Sequence, residues 1–105
     1  MTINHIHAIL VMDYSSGDFV WDMEKERANV RKHGVDFSAA AQAFRDPRRK
    51  IYADSKHSAH ESRLFCMGKV GDRVLTVRYV WRHGKIRIFG AGCWRKGARY
   101  YEQED

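Results

Sequence analysis

The sequence predicts an α+β domain: a mostly antiparallel sheet, two N-terminal helices packed on one face of it, and a short C-terminal helix. Three observations carry this reading. Helix-capping residues and helical spacing are concentrated in residues 19–46, strand-like alternation fills residues 49–89, and turn pairs separate the last three runs at hairpin spacing. Helices followed by a block of strands is the α+β order, not the alternation of a parallel α/β sheet. A chain of 105 residues is the size of one domain, and it buries roughly 60–65% of its unfolded surface, enough for one modest core.

Residues 1–17 read differently from the rest. Residues 3–12 mix apolar side chains with His5 and His7, and Tyr14-Ser15-Ser16-Gly17 has the composition of a turn or linker. The segment is either an extra strand or an upstream extension, and the domain proper is assigned to residues 18–105. Phe19-Val20-Trp21 is an aromatic and β-branched run, hence a strand. Asp22 can then cap a helix over residues 23–33, its carboxylate accepting from free backbone N–H groups. Glu24 and Glu26 fall in the positive first turn, Arg31, Lys32 and His33 in the negative last turn, and Gly34 supplies a left-handed stop.

A shorter helix begins at Asp36 or Ser38, where Phe37, Ala40, Ala41 and Phe44 recur at helical spacing. It ends at Asp46-Pro47, because the residue before a proline avoids helical angles. Strands are expected over residues 49–53, 63–70, 74–82 and 85–89, with Gly71-Asp72 and His83-Gly84 joining the last three into an antiparallel meander. Residues 95–103 have helical composition, weakened by Gly97. In the strand over 74–82, Leu75, Val77, Tyr79 and Trp81 point one way and can pack beneath the helices, whereas Thr76, Arg78, Val80 and Arg82 point the other. One sheet face is therefore core, and the other carries arginines among small apolar residues.

A hydrophobic fraction of 44% excludes a disordered chain, and no apolar run approaches the roughly 18 residues of a membrane helix. Two cysteines are too few for a disulfide scaffold and point to the reducing cytoplasm. Cys66 suits a small buried hydrophobe better than a nucleophile. The formal net charge of +6 is unevenly placed: residues 1–40 carry −2, residues 41–101 carry +11, and residues 102–105 carry −3. A field of that sign attracts polyanions, since phosphate neutralisation releases counterions; it also suits a merely soluble basic surface.

Three groups of residues could carry chemistry. Lys25, Asn29, Lys32 and His33 share one helical stripe. His57, His60, Glu61 and Arg63 bring two imidazoles, a carboxylate and a guanidinium together before a strand, which is the material of general acid–base catalysis. Their H-x-x-H-E order is neither H-E-x-x-H nor H-x-x-E-H, and no C-x-x-C pair is present, so no metal site is expected. Trp94-Arg95-Lys96 and Tyr100-Tyr101 set aromatics beside cations, as in proteins that stack single-stranded RNA bases and hold their phosphates. A solvated polar loop and aromatics closing the core fit the same residues.

The ordered set Phe19-Val20-Trp21-Asp22, Lys25, Asn29, Lys32-His33-Gly34, Phe37, Ala41, Phe44, Asp46-Pro47, Glu61-Ser62-Arg63, Gly68 and Arg87-Ile88-Phe89-Gly90-Ala91 resembles the BrnT-like toxins. Agreement runs from about Phe19 to about Glu102 and leaves residues 1–17 outside. The resemblance implies a RelE-like fold and a type II toxin that cleaves RNA without a cofactor or metal. It also implies neutralisation by a BrnA-like antitoxin of the ribbon–helix–helix class, with operator DNA bound only through that antitoxin and no membrane partner. Many relatives carry Ser-Ala-Arg in the last strand where this chain has Gly90-Ala91-Gly92, and a Gly-Ala-Gly ending occurs in one branch.

Within that frame the substrate's own 2′-hydroxyl is the expected nucleophile, and the protein supplies a base, an acid and cations for the phosphorane charge. The candidates are Glu61 or His57 as base, Arg63, Arg78 and Arg87 as charge stabilisers, and His33 or Lys32 as acid. Lys25, Arg82, Trp94, Arg95 and Lys96 are the expected RNA contacts. The alternative is a catalytically inactive member that only partners a DNA-binding antitoxin.

Overall fold

The computed structural model describes residues 13–103. Strands β1 (Asp13–Ser16) and β2 (Phe19–Asp22) lead into helices α1 (Met23–His33) and α2 (Phe37–Gln42), the latter extended by a 3-10 turn over Ala43–Arg45. Strand β3 (Lys50–Ala53), a 3-10 turn at Ser55–His57, strands β4 (Leu64–Val70), β5 (Arg73–Arg82) and β6 (Lys85–Gly92), and helix α3 (Arg95–Glu102) complete it. The sheet has six strands in the order β1-β2-β6-β5-β4-β3. It is mixed: β2 runs parallel to β6, and every other neighbouring pair is antiparallel. A strand separated from its partner by the rest of the domain can join in either sense, whereas a hairpin cannot.

Of the two readings of the N-terminal segment, Asp13–Ser16 takes the strand one, pairing with β2 across Gly17. Residues 3–12 lie outside the described residues. The caps of α1 form as its sequence requires: Asp22 accepts from the N–H groups of Glu24 and Lys25 at 2.8 and 3.3 Å, and Gly34 closes the helix in the left-handed conformation. Asp36, not Ser38, caps α2, accepting from Ala39 N–H at 2.7 Å.

Helix α2 lies across one face, where Phe37, Ala40 and Ala43 are buried with Leu75, Val77, Tyr79, Ile88 and Trp21. The approach is close enough that a Cβ on Gly68 would stand 2.2 Å from the Ala43 carbonyl oxygen. Trp81, expected in this core, is 55% exposed and lines an open groove with Phe44 and Ile86. Helix α1 contacts β2 and β6. Where β2 stops alongside Ile88, Asn29 takes over its pairing role: its amide nitrogen donates to the Ala91 carbonyl at 2.8 Å, and its amide oxygen accepts from Ala91 N–H at 3.1 Å. Asn29 is thus a buried structural member, not part of an exposed stripe with Lys25 and Lys32.

Helix α3 packs on the opposite face. Gly97, the residue that lowers its helical propensity, is what lets it dock: a Cβ there would lie 1.8 Å from Thr76 Oγ1. The second face is therefore only partly open. Tyr101 pins the helix from its other side, donating to Asp46 at 2.5 Å, while Asp46 also accepts from the N–H groups of Lys69 and Arg48. Burial pushes the Asp46 carboxyl up, but those bonds outweigh it and leave the group below the ordinary carboxylate range. Among the described residues, no helix is long and apolar enough to cross a membrane.

Candidate functional site

The face opposite α2 is built in rows. Cys66, Val77 and Ala91 point into the core, so their neighbours point away from it. Cross-strand register then places Tyr52, Phe65, Arg78 and Gly90 side by side on four adjacent strands. At about 4.8 Å per strand, this row runs from aromatic at the β3 edge, through a guanidinium, to a bare glycine. The next row, Met67, Thr76 and Gly92, is roofed by α3 and by Trp94, whose indole lies where a Gly92 Cβ would be, at 2.7 Å. Between the open row and the helix lies a cleft of about 730 Å³, walled by Tyr52, Asp54, Lys56, His57, Phe65, Arg78, Trp94, Lys96 and Tyr100.

A bulge in β6 lies next to Arg78. Arg78 pairs with Gly90 and Tyr79 with Ile88, which leaves Phe89 as the extra residue. The guanidinium carbons of Arg63 and Arg78 lie 5.0 and 5.1 Å from the centroid of the Phe89 ring. A ring face attracts cations, so one side chain gathers two positive charges at one place. Neither arginine makes an ion pair with a carboxylate among the described residues; Arg63 acts on Glu61 only through its charge.

Arg82 and Arg87 differ. Arg82 is paired with Glu61, and Arg87 makes a two-pronged pair with Asp13 at 2.7 and 3.1 Å. The Arg82 hydrogen bond, aided by the charges of Arg63 and Arg87, holds the Glu61 carboxyl below its ordinary range. The Arg87 bond does the same for Asp13. Glu61 is thus a weakened base with its oxygens already engaged.

The acid–base material lies instead at His57. Its Nδ1 stands 3.0 and 3.2 Å from the two carboxylate oxygens of Asp54. The Asp54 side chain is 9% exposed and the His57 side chain 58%. An ionised carboxylate only accepts, so Nδ1 carries the proton and Nε2 is left with its lone pair outward. The loop holding the pair is cross-braced: Asp54 N–H donates to the Arg63 carbonyl at 2.8 Å, Ser58 Oγ donates to the Asp54 carbonyl at 2.6 Å, and Arg63 N–H donates to Ser58 Oγ at 3.0 Å. Sequence reasoning found His57 and missed Asp54 and Ser58. The D-x-x-H spacing was the available signal, since residues three apart meet in one helical turn.

The remaining candidates divide. Lys96 lines the cleft, with its Nζ 6.0 Å from the Tyr100 ring centroid. His33 meets Trp94 edge-on at 5.0 Å and is not part of the cleft wall. Lys25, Lys32 and Arg95 are exposed and make no side-chain hydrogen bond or ion pair among the described residues. Burial in the core pushes the Cys66 thiol up to about 12, which suits a packing role and not a nucleophile.

Comparison with known proteins bears on what such a cleft does. The sequence model of a family described as "Ribonuclease toxin, BrnT, of type II toxin-antitoxin system" matches residues 21–97. No curated protein is similar enough to the chain to register as a match. The matched span contains the Asp54–His57 pair, Arg63, Arg78 and Phe89.

Proposed function

The chain belongs to the BrnT ribonuclease toxins of type II toxin–antitoxin systems, and on that premise we propose that it cuts RNA, without a metal ion, in the cleft between the Tyr52–Arg78 row and α3. The observation that carries this is the juxtaposition, on one cleft wall, of an oriented imidazole, His57 on buried Asp54, with Arg78, a guanidinium without an ion pair among the described residues that shares the Phe89 ring with Arg63. His57 Nε2 takes the proton of the 2′-hydroxyl. The 2′-oxygen forms a bond to the adjacent phosphorus, and the bond from phosphorus to the 5′-oxygen breaks. The leaving oxygen takes a proton from an ammonium group of the cleft, Lys96 or Lys56. The products are a 2′,3′-cyclic phosphate and a 5′-hydroxyl.

Arg63 and Arg78 stabilise the charge that grows on the phosphorane oxygens, and Asp54 stabilises the imidazolium. In this reading Lys25, Lys32 and Arg95, which make no ion pair among the described residues, steer RNA by their field, whereas Arg82 and Arg87 are neutralised by Glu61 and Asp13. RelE-like topology, a cytoplasmic setting and a ribbon–helix–helix antitoxin that covers the cleft and alone binds operator DNA belong to the same proposal.

Incubation of the purified protein with RNA in EDTA tests it. Cleavage that survives the chelator, yields cyclic phosphate ends, stops at a 2′-deoxy position and falls in His57→Asn is expected. Products with 3′-hydroxyl ends, or activity that returns only with a divalent cation, overturn it. Intact RNA bound at the same site points to the inactive binding partner.

A further inference from the structure

The aromatic end of the cleft is not used by the chemistry above. Tyr52 projects from the edge strand and Tyr100 from α3, and their rings meet at 4.9 Å and 37°. Phe65 lies beside Tyr52 in the row, between it and Arg78. Both tyrosines are 36% exposed, far more than a pair closing a core would be. The Lys96 ammonium stands over the outer part of Tyr100. With the two tyrosine rings already in contact, nothing flat fits between them. What the group offers is a platform bounded by cations, with Tyr52 two strand spacings from a guanidinium that has no ion-pair partner among the described residues.

We infer that this platform is a stacking subsite for one unpaired nucleobase, next to the phosphate held at Arg78; the inference rests on the reading of the cleft as an RNA site. Phosphate and base of one nucleotide are separated by a sugar, and Arg78 stands one strand spacing of about 4.8 Å from Phe65 and two from Tyr52, so a single nucleotide spans the interval. The surrounding side chains include no amide to read a base edge. The subsite therefore selects single strands over duplex, whose bases are stacked internally, and larger bases over smaller ones, without reading a particular letter.

The experiment is a binding titration of the full-length protein with a tetranucleotide whose cleavable position is 2′-deoxy, compared with the same oligonucleotide lacking one base. Loss of the stacked base weakens binding about five- to a hundred-fold, the range of one base–aromatic stack. Tyr100→Ala weakens the intact oligonucleotide equally, leaves the abasic one unchanged, and Tyr100→Phe restores it. Tyr52→Ala gives the same pattern from the other wall, and the abasic comparison needs no variant at all. Equal affinity for abasic and intact oligonucleotides at every position overturns the inference, as does a Tyr100→Ala effect that persists on the abasic ligand. A Tyr100→Ala variant that binds RNA normally and loses only its antitoxin overturns it in favour of a protein anchor. Base-dependent binding without cleavage would remove the ribonuclease mechanism and keep the subsite; cleavage indifferent to the missing base would do the reverse.

Discussion

The two faces of the sheet are made from the same strands by alternate residues, and they solve opposite problems. Beneath α2, Phe37, Leu75, Val77 and Ile88 are closed to solvent with no charged group among them. Across the sheet, the intervening positions hold Arg78, Phe65 and Tyr52 around a cavity, with Arg78 also against Phe89. The first face gains stability by excluding water from tightly fitted apolar surface. The second leaves Arg78 without an ion pair among the described residues and tyrosine rings partly bare, which favours folding little and an anionic ligand greatly. Stability and function are thus separated by the pleat, one residue apart in sequence. Substitutions should separate along the same line.

The largest effect expected is on the core side. Phe37→Ala removes a fully buried ring and should cost about 3–5 kcal/mol, a large part of the roughly 5–15 kcal/mol that holds a domain together; denaturant unfolding measures it, and RNA cleavage should decline only as the folded fraction does. On the other face, Arg78→Ala should lower the cleavage rate about 10²–10³-fold, the usual loss for one preorganised charge stabiliser, with an unchanged unfolding midpoint. Arg87→Ala, which removes an arginine already paired with Asp13, should lose far less. Equal losses for the two would erase the distinction drawn between stacked and neutralised arginines.

Gly68→Ala is the sharper test of how tightly the core face is fitted. Its Cβ meets backbone and not a movable side chain, so overpacking should cost about 1–3 kcal/mol and lower the melting temperature by about 4–8 °C per kcal/mol. A stabilising alanine there would show the packing is looser than described. A further effect on the core side is in alkali. Burial pushes Cys66 and Tyr79, both on the core side, up to about 12 from ordinary values of 9.0 and 10.0. Above pH 9 the unfolded chain releases protons that the folded chain keeps, so stability should fall from about pH 9 towards 12. Cys66→Ala should delay the onset towards pH 10, where Tyr79, and Tyr101 with its phenol held up by the bond to Asp46, remain. A flat stability profile over that interval would contradict the burial of both groups.

What could be read from the sequence alone was whatever neighbours in the chain decide. Asp22 and Gly34 bound α1 because caps act within one turn. Gly71 and His83-Gly84, with positive φ, close the two hairpins of the meander, and hairpins leave no choice of sense. The polar character of the Arg78 face, the core role of Cys66 and the candidacy of His57 and Arg63 came from alternation, hydropathy and side-chain chemistry, all carried by the local residues. The tertiary structure alone decided the rest. The parallel union of β2 with β6, the service of Asn29 as a surrogate strand at Ala91, and the docking of α3 through Gly97 depend on segments tens of residues apart. So does the sorting of four similar arginines into two stacked on Phe89 and two neutralised by Glu61 and Asp13. An arginine's sequence fixes its charge, but its availability depends on which carboxylate folding brings within reach, and no local pattern encodes that distance.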